Sequence, residues 1–234
     1  DGMRDFGDYY RDPFNLERVE VLEGPDSILF GRGSTGGVIN QISKTPKMNP
    51  FWTASVSGGT SDAIRGTADV NMPIASLGSG AAVRVNLMAN DNGVAARDVV
   101  DYQRWGIAPS LALGLGTPTR LNLSYYHQSE RDLPDYGIPW YYGQPADVDR
   151  SNFYGYRSDF LNNDDDIVTG KIEHDLTEDV TLRAQLRYAS YDRSERIDQP
   201  SLPATATPAT PLNTIDVMLK HTDGNYLQRR PMPG

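Results

Sequence analysis

From about residue 50 onward, apolar and polar residues alternate in long stretches, yet no apolar run approaches the ~20 residues of a membrane-crossing helix. Period-2 alternation gives a strand one apolar and one polar face. Ile64, Gly66, Ala68, Val70 and Met72 make one face, opposite Arg65, Thr67, Asp69 and Asn71. Val83, Val85, Leu87 and Ala89 oppose Arg84, Asn86 and Asn90, and Trp105, Ile107, Leu111 and Leu113 oppose Gly106, Ala108, Ser110 and Ala112. The pattern returns in Leu121, Leu123 and Tyr125, and in Val180, Leu182, Ala184, Leu186 and Tyr188. Residues 51–58 and 165–175 are weaker examples. About seven strands result, most of ~10 residues or more, the length a tilted membrane strand needs.

A soluble two-sheet sandwich produces the same alternation, so periodicity alone leaves both readings open. Loop lengths separate them. Short connections at 74–80, 114–118 and 176–179 alternate with longer polar ones at 90–101, 129–163 and 192–234, with the short first hairpin at 58–62 the exception. A membrane barrel sorts tight turns to one side and long loops to the other, whereas a sandwich has no reason to.

Composition excludes several function classes. A net charge of -9 repels the phosphates of nucleic acid. With no cysteine, neither a disulfide nor a thiolate metal site can form. His127, His174 and His221 are isolated, without metal-ligand spacing or a readable catalytic triad. The chain therefore reads as no enzyme, with no metal site and no cofactor of its own. Asp164-Asp165-Asp166 offers oxygens to a divalent cation, but such a run is read first as a solvated loop edge.

Residues 1–47 follow a different grammar, that of a compact α+β piece. Leu16 to Leu22 alternates as a half-buried strand and Gly24-Pro25 breaks it. Asp26 to Phe30 reads as one capped helical turn, Gly31 to Gly37 as a flexible turn, and Val38 to Ser43 as a returning strand. Gly31-Arg32-Gly33-Ser34-Thr35-Gly36 fits the G-x-G-x-x-G spacing of dinucleotide sites, but a strand follows it where that fold requires a helix. These glycines are read instead as permitting left-handed turns and close packing. Asp1-Gly2-Met3-Arg4-Asp5 has neither a basic n-region nor an apolar stretch and reads as the interior of a domain.

The run Phe14-Asn15-Leu16-Glu17-Arg18-Val19-Glu20-Val21-Leu22-Glu23-Gly24-Pro25, followed by Leu29-Phe30-Gly31-Arg32-Gly33-Ser34-Thr35-Gly36-Gly37-Val38-Ile39-Asn40, closely resembles the C-terminal half of the plug of TonB-dependent outer-membrane receptors. With Asp1 to Asp5 and Tyr9-Tyr10-Arg11-Asp12 before it, the segment is similar to the siderophore-receptor branch, in particular its ferric-catecholate type. The resemblance implies a plug piece at 1–47 followed at 48–234 by antiparallel transmembrane strands, part of a 22-stranded plugged barrel. It implies a bacterial outer-membrane receptor that imports a ferric siderophore, with iron carried inside the ligand, TonB and the proton-motive force as driver, and outer-membrane lipid as surroundings. The TonB-contact segment and most of the barrel then fall outside this chain. An open sheet of this kind exposes an edge and an apolar face, so residues 1–234 alone are expected to be unstable as a soluble protein.

By that resemblance Arg4, Tyr9, Tyr10 and Arg11 fall at the plug apex, where guanidinium charge and aromatic rings suit an anionic, aromatic ferric catecholate; ordinary loop packing is the competing reading. Trp140, Tyr141 and Tyr142, in an aromatic-rich loop, suit the same ligand from outside, or else pack that loop on itself. Glu20, Glu23 and Arg32 are implied as plug charges that latch onto the barrel wall. A receptor of the same fold for haem or cobalamin is the nearest rival, and a soluble β-sandwich binding module is the rival from another class. Haem capture favours loop histidines, and the long loops contain only His221.

Overall fold

The computed structural model describes residues 1–5, 7–24, 36–78, 80–207, 209–211 and 215–233. β1 (Leu16–Glu23) and β2 (Gly37–Ser43) pair as an antiparallel hairpin. A 3-10 turn at Pro13–Asn15 leads into β1, and Asp12 caps it by accepting the Phe14 N–H at 3.0 Å. Gly24 and Gly37 bound the hairpin at φ of +97° and +143°, backbone that favours glycine. The helical turn expected at 26–30, and the glycine-rich turn as far as residue 35, lie outside the described residues. Among the described residues the N-terminal segment is thus a β-hairpin with one 3-10 turn and no α-helix.

The rest is one antiparallel meander. In chain order come β3 (Phe51–Gly58), β4 (Ile64–Pro73), β5 (Ala82–Gly93), β6 (Asp101–Leu113) and β7 (Thr119–Leu133). Then follow the two-residue pieces β8 (Trp140–Tyr141) and β9 (Gln144–Pro145), and the long strands β10 (Phe160–Asp175), β11 (Thr181–Ser201) and β12 (Met218–Pro233). β8 and β9 pair with each other inside a loop; the others form an 8-stranded sheet in which neighbours in sequence are neighbours in space. Short connections (74–81, 114–118, 176–180) gather at one end. The opposite end carries 59–63, 94–100, 134–159 and 202–217. This is the sorting expected of a barrel wall.

Among the described residues the sheet has eight strands where about seven were expected, and the loops expected at 90–101, 129–163 and 192–234 shorten to 94–100, 134–159 and 202–217. Residues 192–201 continue β11 and 218–233 form β12, where one long loop was expected. Likewise 129–133 belong to β7 and 160–163 to β10, and Asp164-Asp165-Asp166 lies within β10 and not at a loop edge. The physical reason is common to all. Where a strand runs beyond the apolar belt, neither face needs an apolar residue, so the alternation fades while the backbone ladder goes on.

Burial inverts the pattern of a soluble domain. The apolar faces point away from the N-terminal segment and are exposed: Val56 at 81%, Leu123 at 45%, Leu182 at 56%. The polar faces lie beneath the N-terminal segment, where Asn71, Arg84, Asn86 and Gln128 are buried. No second sheet covers the apolar face among the described residues, which removes the sandwich reading. What core exists is small. Phe14 packs on Met88, Ala108 and Tyr126, and Tyr191 and Ala189 pack with Met3, Tyr9 and Ile167.

Candidate functional site

The site is the seam between the N-terminal segment and the inner face of the sheet. Strand alternation directs Arg65, Asp69, Arg84 and Asn86 inward, all positions on the polar faces legible from sequence. Asp12, held by its own cap, accepts from both guanidinium nitrogens of Arg65 at 2.6 and 2.8 Å. Arg84, 4% exposed, bonds Asp69 through two nitrogens (2.8 and 2.7 Å) and reaches Glu17 of β1 at 3.1 Å. Lys44 donates to Asp69 at 3.1 Å, to the Phe14 carbonyl at 2.8 Å and to Asn86 at 3.1 Å. A buried arginine is tolerable only when nearly every donor is matched, and here carboxylates from both sides match it. Glu17 is held below its ordinary range, first by the Lys47 ammonium at 2.7 Å and then by Arg84.

Phe14 complements these charges by shape. Its ring stacks on Tyr126 at 5.7 Å and lies over Gly106, where an added Cβ would come within 2.8 Å of it. Glycine at this point of β6 is therefore a socket for the ring.

Toward the loop-rich end, residues 4, 5 and 7–11 form a second contact zone. Tyr9 stacks on Tyr191 of β11 at 5.4 Å, with the Arg11 guanidinium 4.4 Å above its ring. Asp5 accepts from Gly7 N–H, Tyr191 Oη, Tyr9 Oη and Arg11 Nε at 2.8–3.1 Å. Burial pushes the Asp5 carboxyl up, but these donors outweigh it and hold Asp5 below the usual carboxylate range. Burial raises the Tyr9 hydroxyl. Tyr10 is 51% exposed, with the Arg104 guanidinium 4.1 Å from its ring centre. Asp8 pairs with Arg193 at 2.9 Å. Between the two zones is a cavity of about 500 Å³ lined by Arg4, Arg11, Asn40, Lys44, Ser124 and Arg187, among others.

Of the residues singled out from sequence, Arg4, Tyr9, Tyr10 and Arg11 come together here. Tyr9 and Arg11 spend their polar groups on the internal Asp5 network; Arg4 and Tyr10 are exposed in area, and the Tyr10 carbonyl accepts from Gln128 Nε2 at 2.5 Å. Trp140 and Tyr141 form β8, and Tyr142 lies in the turn to β9. Trp140 is 68% exposed, whereas Tyr141 donates to the Thr207 and Thr210 carbonyls and Tyr142 to that of Ala206 at 2.8 Å. Those two hydroxyls thus tie the 134–159 loop to the 202–217 loop. Glu20 pairs inside the hairpin, with Arg18 at 2.8 Å and Asn40 at 2.9 Å, and Glu23 is exposed at the end of β1. Arg32 lies outside the described residues. Among the described residues, ion pairs across the seam run through Asp8, Asp12, Glu17 and Lys44, with Asp1–Arg187 at 3.1 Å. Their signal in sequence was the charge on the polar faces of the strands; their partners needed the fold. His221 lies in β12, between Asp198 and Asp223, and not in a loop.

Comparison with known proteins follows the same lines. Residues 1–38 match the TonB-dependent Receptor Plug Domain. The chain is 41% identical over 203 residues to the "Catecholate siderophore receptor Fiu" of Escherichia coli (strain K12), which covers 81% of this chain and 26% of that protein. It is 43% identical over 197 residues to the "Probable TonB-dependent receptor BfrD" of Bordetella pertussis, with the same shares. The crystal structure of the ferric-catecholate import receptor Fiu from E. coli K12 in its closed form superimposes with a TM-score of 0.87 at 34% identity, covering 97% of this chain and 34% of that one. The chain thus spans about a quarter of the length of the curated relatives it matches.

Proposed function

We propose, from the premise that this chain is a segment of a TonB-dependent outer-membrane receptor, that the whole protein imports a ferric siderophore of the catecholate type. In this reading residues 1–47 are the C-terminal part of the plug and 48–234 the first strands of a 22-stranded wall. The long loops face outward and the apolar outer faces meet lipid. The observation that carries the reading is the plug-like segment seated by matched charges on the polar face of a sheet whose apolar face is bare.

The ligand binds at the plug apex and the external loops. Arg4, Tyr10 and Trp140 are exposed there and suit an anionic, aromatic chelate by charge and stacking; Tyr9, Arg11, Tyr141 and Tyr142 shape that surface. TonB, drawing on the proton-motive force, moves the plug, whose charges, Glu20, Glu23 and Arg32 included, set its seating. The protein carries out no covalent chemistry and needs no cofactor of its own; iron travels within the ligand.

The test uses the full-length receptor in an iron-starved Gram-negative host lacking its own siderophore receptors. Uptake of radiolabelled ferric catecholate, ferric hydroxamate and haem is measured with and without TonB. TonB-dependent uptake of the catecholate is expected. Uptake of haem alone would replace the reading by its nearest rival, and no TonB-dependent iron uptake from a correctly inserted receptor would overturn it.

A further inference from the structure

We infer that Asp5 is a positioning residue of the apical segment, fixing residues 5 and 7–11 on strand β11 through the Tyr191 hydroxyl so that Tyr10 is presented to ligand. The inference rests on the reading of that apex as a ligand surface.

The argument begins with valence. A carboxylate has room for about four acceptor directions, and Asp5 fills them. Oδ1 takes the Gly7 N–H at 3.1 Å and the Tyr191 hydroxyl at 2.8 Å; Oδ2 takes the Tyr9 hydroxyl at 3.0 Å and Arg11 Nε at 3.1 Å. Three donors belong to the segment itself and close it into a loop. The fourth comes from the wall. Among the described residues Asp8 also reaches β11, meeting Arg193 with a side chain that is 88% exposed, a pair worth little in water, and Gln128 of β7 donates to the Tyr10 carbonyl at 2.5 Å.

Packing supports the same point. The Tyr9–Tyr191 stack fits because residue 7 is glycine, at which an added Cβ would lie 2.5 Å from the Tyr191 ring. Tyr9 and Arg11, whose polar groups are spent on this network, are unavailable to a ligand but hold Tyr10 between them. A ligand surface ordered in advance binds more tightly because the ordering cost is already met. Asp5 therefore acts through its neighbours and touches no ligand.

Full-length receptor carrying Asp5→Asn is compared with wild type in two ways. A nitroxide label on Asp8→Cys reports segment mobility in the purified protein without ligand. The uptake KM and maximal rate for a ferric catecholate report binding and transport separately. Asp5→Asn is expected to mobilise the label and raise KM about tenfold, with maximal rate within about twofold of wild type. Tyr191→Phe, which keeps the ring stack, should raise KM less; asparagine at 5 keeps an oxygen for the Tyr191 hydroxyl but none for Tyr9 and Arg11, so the double variant, which loses both sets of bonds, should exceed either single variant. An unchanged spectrum in Asp5→Asn overturns the inference whatever is transported, as does an unchanged KM in a receptor that transports. If Asp5→Asn fails to insert, Tyr191→Phe decides by the same readouts. A mobilised label in a receptor that takes up no ferric siderophore would keep the positioning role and reject the proposed cargo.

Discussion

The Asp12 carboxylate, 2% exposed, accepts two hydrogen bonds from the Arg65 guanidinium across the seam between the plug segment and strand β4. The same carboxylate caps the 3-10 turn, so one residue fixes both the local turn and its seat on the wall.

Removing one partner of such a pair leaves the other unmatched. Asp12→Ala in the full-length receptor should weaken the seating of residues 12–17 by about 2 kcal/mol, less than for a wholly buried pair because water reaches Arg65. Hydrogen exchange of those amides measures it. Protection equal to wild type would show that the pair contributes nothing.

Phe14 and Gly106 form a knob and its socket. Phe14→Ala should cost about 3 kcal/mol, and Gly106→Val should also destabilise, since its Cβ would lie 2.8 Å from the ring. The double variant should lose less than the sum, because the clash with the ring vanishes and only the tight approach to the His127 carbonyl, at 3.1 Å, remains. Additive losses in thermal unfolding would mean that the two do not share a contact.

Glu17 makes plug seating depend on pH. Its folded pKa lies below its unfolded one, through the Lys47 bond first and Arg84 after it. The stabilisation is therefore present above the unfolded value, about 4.3, and is lost as pH falls through the lower folded value. Protease resistance of the seam should decline in that acid window, and Glu17→Gln should flatten this part of the profile. An equal decline in both would assign the effect elsewhere.

The two faces of β7 should respond oppositely to charge. Leu123→Arg, on the exposed apolar face, should cost about 2–4 kcal/mol in folding into lipid vesicles. Ser124→Lys, which faces the cavity, should fold nearly as wild type. Equal yields would place the membrane elsewhere.

Sequence alone determined the strand class, the inward and outward faces and the plug likeness. These depend on local properties: period-2 alternation, turn chemistry and a contiguous run from Phe14 to Asn40. It also put Arg65 and Arg84 on polar faces. The partners of those arginines were beyond its reach. Asp12 meets Arg65 across 53 positions and Tyr191 meets Asp5 across 186, separations that no local pattern encodes. The ends of the strands were likewise undetermined, because outside the apolar belt a ladder continues on backbone bonds alone, without an apolar residue to mark it. Tertiary structure decided which exposed-looking residues stand open and which are bound up in the scaffold. Tyr9 and Tyr10 are adjacent and of one type, yet only the fold, through Asp5 and the Tyr191 ring, turns one inward and leaves the other open.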